Sequence, residues 1–237
     1  MRLEVSPDIF EMFPGYVRYV LHAVRANNTR TEDELMRMLA AAQASVREDR
    51  SFEDLKSNPR IASWRSAFER FGVNPNQCPP SIANLIKRVR GGKDLPYINT
   101  LVCVFNVVSL THVLPAGGDD LDKVVGDVRL GLALGDEVYT PLGSPDRTEN
   151  PKAGEVILYD TGSGDAFCRA WCWKNGDRSR IEESTSRVAI NIDVLPPVTP
   201  AQGQAAAEET AELVCRFCGA QVEIYRLAKE NPSAEIA

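Results

Sequence analysis

Leu95-Pro-Tyr-Ile-Asn-Thr-Leu-Val-Cys-Val-Phe-Asn106 is the stretch on which the reading of the fold turns. A proline is followed by an asparagine and then by apolar residues at helical spacing: Ile98, Leu101, Val102, Phe105 and Val108. The pattern predicts a helix from Asn99 to about His112 with that stripe buried. Asn99, Cys103 and Asn106 stand at i, i+4 and i+7 and so share a second helical face. A carboxamide carries both donors and an acceptor. The two asparagines suit a polar ligand, and they equally suit the capping or bridging of buried backbone.

Toward the N-terminus the helical signal continues. Ser81 is the expected cap of a short predicted helix ending at Gly91-Gly92. Pro59 opens another helix that buries Ile61, Trp64, Phe68 and Phe71 and stops at Gly72. Thr31 and Glu34 have the spacing of a capping box for a helix to about Val46. Residues 2–5 and 16–26 have strand character, the second after the Pro14-Gly15 turn signal.

Beyond Leu114-Pro115 the period changes. Gly117-Gly118-Asp119-Asp120 reads as a turn. Short alternating segments follow at 128–133, 137–139, 155–159, 167–173 and 187–194, separated by Gly, Pro and Asp. A helix is predicted over about 204–218 and a strand over 221–227. The expected fold class is therefore α+β, with a mostly antiparallel or mixed sheet flanked by helices, in one domain over residues 1–230 and a frayed tail at 231–237.

The 237 residues are 43% hydrophobic and 25% charged, an ordinary globular composition. No apolar run is long enough to span a bilayer, so no membrane contact is expected. Met1-Arg-Leu-Glu-Val lacks an apolar run followed by a cleavage site, so a cytoplasmic location with reduced cysteines is expected. Cys215-Arg-Phe-Cys218 has half the spacing of a zinc site but falls in a predicted helix, so no metal or cofactor is expected. The net charge is −6, against a general nucleic-acid binder, yet Lys56 to Lys93 holds eight bases and one acid. That segment is read either as a solvated face or as a phosphate-facing surface.

Four blocks together carry a family resemblance: Trp64-Arg-Ser-Ala-Phe68 with Gly72-Val73, Pro80-Ser-Ile-Ala-Asn-Leu-Ile-Lys-Arg-Val89, Leu95–Asn106 running on to Asp120-Leu121, and Cys168-Arg-Ala-Trp171 with Trp173 and Thr185. In order and spacing they resemble the B3/B4 editing module of the phenylalanyl-tRNA synthetase beta subunit, as a stand-alone copy. The resemblance spans about residues 10 to 227. It implies a bowl on a β-sheet that holds the aminoacylated 3′ end of a tRNA and hydrolyses the ester of a wrongly attached amino acid, with no ligase activity. A binding module without turnover is the other reading.

Under that resemblance Asn99, Asn106, Asp120 and Arg169 are the expected catalytic set. Asp120 orients a water or caps a turn; Arg169 meets substrate or forms an internal ion pair. Cys103, Trp171, Cys172, Trp173 and Asn191 are the expected substrate-binding positions. Trp171 and Trp173, two apart in a predicted strand, would share one face as an aromatic wall or as sheet core. Cys172 is read as an inert thiol rather than a nucleophile, with neither His22 nor His112 evidently at hand. Arg65, Lys87, Arg88, Arg90 and Lys93 are the expected phosphate contacts. The synthetase module carries a His and a Glu where this sequence has Gly117 and Asn191, and neither of these can serve as a general base.

Overall fold

A computed structural model describes residues 1–29 and 33–237. The chain builds two sheets. The larger has the order β11-β1-β4-β6-β7-β5, with β8 on β7, formed by β1 (Arg2–Val5), β4 (Val128–Leu132), β5 (Val138–Tyr139), β6 (Val156–Asp160), β7 (Asp165–Arg169), β8 (Lys174–Asn175) and β11 (Ser233–Glu235). The smaller has the order β10-β2-β9-β3, formed by β2 (Val17–Val24), β3 (Ala116–Asp120), β9 (Val188–Val194) and β10 (Gln221–Leu227). The smaller sheet is antiparallel throughout; the larger is mixed, with β1–β4 and β5–β7 parallel. The helices are α1 (Pro7–Met12), α2 (Asp33–Glu48), α3 (Pro59–Arg70), α4 (Ser81–Arg90), α5 (Thr100–His112) and α6 (Pro200–Cys218). The α+β class expected from the sequence is the class observed.

Alternation along β2 and β9 gives the smaller sheet two different faces. Val17, Tyr19 and Leu21 stand beside Val194, Ile192 and Ile190, and all six are buried. α6 lies over this face so closely that a Cβ on Gly203 would meet Val194 Cγ2 at 2.6 Å and Tyr19 Cε2 at 2.8 Å. α5 covers the same face at β3, where a Cβ on Gly118 would stand 2.9 Å from Phe105 Cζ. The opposite face is polar: Arg18 pairs across from Asp193, and Gly117 from Asn191. One apolar cluster running from Leu3 to Ile236 joins the two sheets.

Several sequence expectations change. Residues 116–120 form a strand, not a turn, because β9 supplies a complete ladder partner. The strand expected over 167–173 ends at Arg169: Ala170 and Trp171 adopt left-handed backbone (φ 45° and 62°), and the Trp171 N–H turns back to the Val156 carbonyl at 2.6 Å. The tail expected to fray instead pairs: Ser233–Glu235 lies antiparallel on β1 and buries Ile236. α6 begins four residues early, because Thr199 and Gln202 close a reciprocal capping box around Pro200. Pro80, not Ser81, occupies the N-cap of α4. The expected capping box at Thr31 lies outside the described residues.

Candidate functional site

The polar face of the smaller sheet opens into a cleft walled on the other side by the larger sheet and by α4 and α5. The cleft has two compartments. One, of about 410 Å³, reaches from Arg18, Asn191 and Asp193 to Leu158, Cys168 and Trp171. The other, of about 570 Å³, wraps past the β3 edge to Leu85, Val102, Phe105 and Asn106. Ser81, Gly117, Gly118, Asp119 and Trp173 border both.

Asp119 sits at the junction. Because β3 is a strand, consecutive side chains leave it on opposite faces. Asp119 therefore joins Gly117 and Asn191 on the cleft side. It accepts the Ser179 hydroxyl at 2.6 Å and the Asn191 amide at 3.3 Å. Its side chain is 96% buried, and that desolvation pushes the carboxyl up to about 6, against the lowering effects of Ser179, Arg18 and Asn191. A carboxylate with an affinity for protons near neutrality, bordering an open compartment, has the properties of a general base.

The polar network continues across the sheet. Arg18 Nε donates to Asn191 Oδ1 at 3.2 Å and lies 3.7 Å from Asp193 Oδ1. Asp193 also accepts the Tyr16 hydroxyl. Ser179, Asp119, Asn191, Arg18, Asp193 and Tyr16 thus form one hydrogen-bonded and ion-paired chain. β3 is an edge strand. The Asp120 N–H donates away from β9 to the Ser179 carbonyl, and the Ala116 N–H to the Ser109 hydroxyl. Alternation then leaves the Gly118 amide also pointing away from β9, on the side of the cleft that Gly118 borders.

Residues 63–219, more than half of the chain, match the family model of the B3/4 domain. The chain belongs to the B3/4 domain family. No curated protein matches this B3/4 protein. Among solved structures it is similar to an N-terminal fragment of the phenylalanyl-tRNA synthetase beta-subunit from Pyrococcus horikoshii, at 12% identity and a TM-score of 0.47, over 93% of this chain and 49% of that one. The B3/4 protein therefore spans about half the length of that fragment.

The structure redistributes the residues expected from sequence. Asn99 is the N-cap of α5: its Oδ1 accepts the Val102 N–H at 3.0 Å and its Nδ2 donates to the Ile181 carbonyl at 3.3 Å, so the fold uses it. Cys103 is buried in the core, with its thiol pushed up to about 11 by burial. Of the three residues on that helix face, Asn106 alone borders the cleft. Asp120 leaves β3 on the other face; it caps the turn at Asp122 and accepts the Thr185 hydroxyl at 2.7 Å. Arg169 is committed to ion pairs. Its Nε and Nη2 grip Glu155 at 3.0 and 2.8 Å, and its Nη1 reaches Glu149 at 3.0 Å. It borders neither compartment.

Trp171 packs among Phe13, Tyr16, Trp64 and Phe71, with ring centroids 4.8, 4.9, 5.1 and 6.4 Å away. It forms both core and the rear wall of the smaller compartment. Trp173 sits at the mouth of both compartments, beyond the tight turn rather than beside Trp171 on a strand. Cys172 borders the smaller compartment, and burial holds its thiol well above the ordinary value, which opposes a thiolate nucleophile. Asn191 and Gly117 do stand in the cleft, directly opposite each other in the β3–β9 ladder.

The basic residues divide. Arg65 ties down the 75–76 loop through Pro75 and Asn76, Arg88 bonds the Asp94 carbonyl at 3.0 Å, and Arg90 bonds the Arg47 carbonyl at 2.6 Å. Lys93 is exposed just beyond α4. Arg65 also borders, with Lys56 and Lys87, a third hollow of about 330 Å³. Asn84 borders both this hollow and the larger compartment. No helix among the described residues is long and apolar enough to cross a membrane. Sequence reasoning missed Asp119, Ser179 and Arg18. Only a correct strand assignment for 116–120 would have pointed to the first.

Proposed function

We infer that this chain hydrolyses the ester of a mischarged tRNA in trans, with the amino acid in the smaller compartment and the terminal adenosine in the larger one. The observation that carries the reading is Asp119: a buried carboxylate, raised to about 6, at the junction of two compartments. It stands two residues along β3 from Gly117, the position at which the synthetase module has a histidine, so a base returns to the cleft by a different residue.

In the reaction Asp119 takes a proton from water as the water oxygen bonds to the ester carbonyl carbon. The Gly118 N–H, fixed on the sheet edge, donates to the carbonyl oxygen as it gains charge. The bond from carbon to the ribose oxygen then breaks, and the proton held by Asp119 passes to that oxygen. Ser179 and Asn191 hold the carboxylate in place. Asn106 and Trp173 meet the ribose and base, and the apolar lining of the larger compartment takes the adenine face. The hollow formed by Lys56, Arg65 and Lys87 continues beyond Asn84 and receives the acceptor-stem phosphates.

The test is to add the purified protein to a panel of correctly and wrongly charged tRNAs and follow deacylation. Release well above the buffer rate for at least one pair, lost in Asp119→Asn, is the expected result. Rates at the buffer level for every pair overturn the reading.

A further inference from the structure

Among the described residues Arg18 is the one Lys or Arg that the strands of the smaller sheet place on its polar face, and the network around it engages only part of its guanidinium. It projects from β2, outside the residues that match the family model, and is 96% buried. Nε is engaged by Asn191 and approached by Asp193. Among the described residues neither terminal nitrogen has a hydrogen-bond partner, and Nη1 is fully enclosed. Unpaired buried donors on a charged group are costly, and such groups are ordinarily satisfied. Arg18 borders the 410 Å³ compartment, so the space beside it is space a ligand can enter.

We propose that Arg18 is a specificity residue whose terminal nitrogens receive a planar oxygen-bearing group, a carboxylate or carboxamide, at the end of the acyl side chain. The proposal rests on the reading of the cleft as an aminoacyl-ester site. A guanidinium presents two parallel N–H vectors, which match two coplanar acceptor lone pairs better than a single hydroxyl. Asp193 does not occupy that fork: it approaches Nε at 3.7 Å and is shared with the Tyr16 hydroxyl. Leu158, Cys168 and Trp171 close around the aliphatic part of the side chain. An apolar side chain of equal length fills the same volume, expels water and leaves the guanidinium nitrogens unpaired. Such a site discriminates more strongly than a difference of one methylene.

The experiment compares deacylation of tRNAs charged with glutamate or glutamine against tRNAs charged with leucine or methionine, in the wild type and in Arg18→Lys. Lysine keeps the positive charge opposite Asp193 and removes the fork. The expected result is a kcat/KM preference of about tenfold or more for the oxygen-bearing side chains, falling toward unity in R18K. The glutamate and glutamine arms separate carboxylate from carboxamide. In parallel, calorimetry measures L-glutamine, L-glutamate and L-norleucine binding to wild type and to R18K. Equal or faster hydrolysis of leucyl and methionyl esters overturns the proposal and leaves the hydrolase reading intact. No hydrolysis of any ester, together with glutamine or glutamate binding that norleucine lacks and that R18K loses, overturns the hydrolase reading and upholds the proposal. Equal binding of all three amino acids without selective hydrolysis overturns the proposal. Should R18K fail to fold, the wild-type preference alone decides.

Discussion

Asp119 and Asp120 are consecutive, and their carboxylates leave β3 on opposite faces: one meets Ser179 and Asn191 at the cleft, the other meets Thr185 and caps the turn after the strand. The same side chain thus serves two unrelated purposes one residue apart. If Asp119 is the base, kcat/KM for ester hydrolysis rises about tenfold per pH unit below about 6 and levels off above it, because only the ionised form accepts a proton. Asp119→Asn lowers the plateau by about 10²- to 10⁴-fold and abolishes the pH dependence. A wild-type profile that stays flat from pH 5 to 8 removes Asp119 from the chemistry.

The same carboxylate works against the fold at neutral pH. Its folded-state value, about 6, lies above the ordinary 3.8, so the folded protein holds the proton more tightly than the unfolded chain. The stabilisation associated with the protonated form is complete below about pH 4 and is lost as pH rises through about 6. Asp119→Asn therefore raises stability at pH 7.5 by up to about 3 kcal/mol, and its advantage shrinks at pH 4. Denaturant melts of both proteins at the two pH values measure it. A variant equally destabilised at both contradicts the argument.

Arg169→Ala should damage stability and spare turnover. The substitution leaves Glu155, almost fully buried, without its bidentate partner, at a cost of about 3–5 kcal/mol. The Ala170 N–H donates to the same Glu155 at 2.9 Å, so the turn that positions Trp171 loosens too. Once the unfolded fraction is corrected for, kcat/KM stays within about twofold of wild type, because the side chain borders neither compartment. A loss of turnover in fully folded protein would return Arg169 to the site.

At Gly118 even a methyl group is too large. An added Cβ meets Phe105 Cζ at 2.9 Å and the Ala189 carbonyl at 3.1 Å. Gly118→Ala costs about 1–3 kcal/mol through forced movement of β3 or α5. Gly118→Ala with Phe105→Leu recovers part of that loss, and thermal melts of the single and double variants read the coupling.

If the basic hollow receives the acceptor-stem phosphates, its contribution is electrostatic. Lys87→Ala weakens tRNA binding without altering which amino acid is removed, and it reduces the slope of log K against log salt by about one. Titrations over a range of salt concentrations give that slope. A slope unchanged in Lys56→Ala and Lys87→Ala alike places the phosphates elsewhere.

The fold was more legible than the site. The apolar stripe of α3, that of α5 from Leu101 onward, and the strands β2, β9 and β10 are local periodic signals and lie where expected; Ile98, expected in the buried stripe, precedes the N-cap Asn99 and is exposed. Two places defeated local reading for one reason, that a partner distant in sequence overrules a turn signal. Gly117-Gly118-Asp119-Asp120 has turn composition, yet the ladder with β9 and the close approach of Phe105 make it a strand, and that choice selects Asp119 over Asp120. Cys168 to Trp173 alternates like a strand, yet left-handed backbone at Ala170 and Trp171 folds it back on β6. Arg18 gave no signal, since a strand with one arginine between apolar residues looks like any half-exposed edge. Its unengaged nitrogens are a property of the assembled sheet. The tail was misjudged because its partner, β1, lies at the far end of the chain.

Trp171 closes the rear of the smaller compartment while standing at the centre of an aromatic cluster with Phe13, Tyr16, Trp64 and Phe71. Replacing this indole to reshape the compartment disturbs that cluster at the same time. Leu142 and Ile98, by contrast, are more than half exposed at the rim. The wall that shapes the smaller compartment is thus also a wall on which folding depends, whereas the rim can change without touching the aromatic cluster.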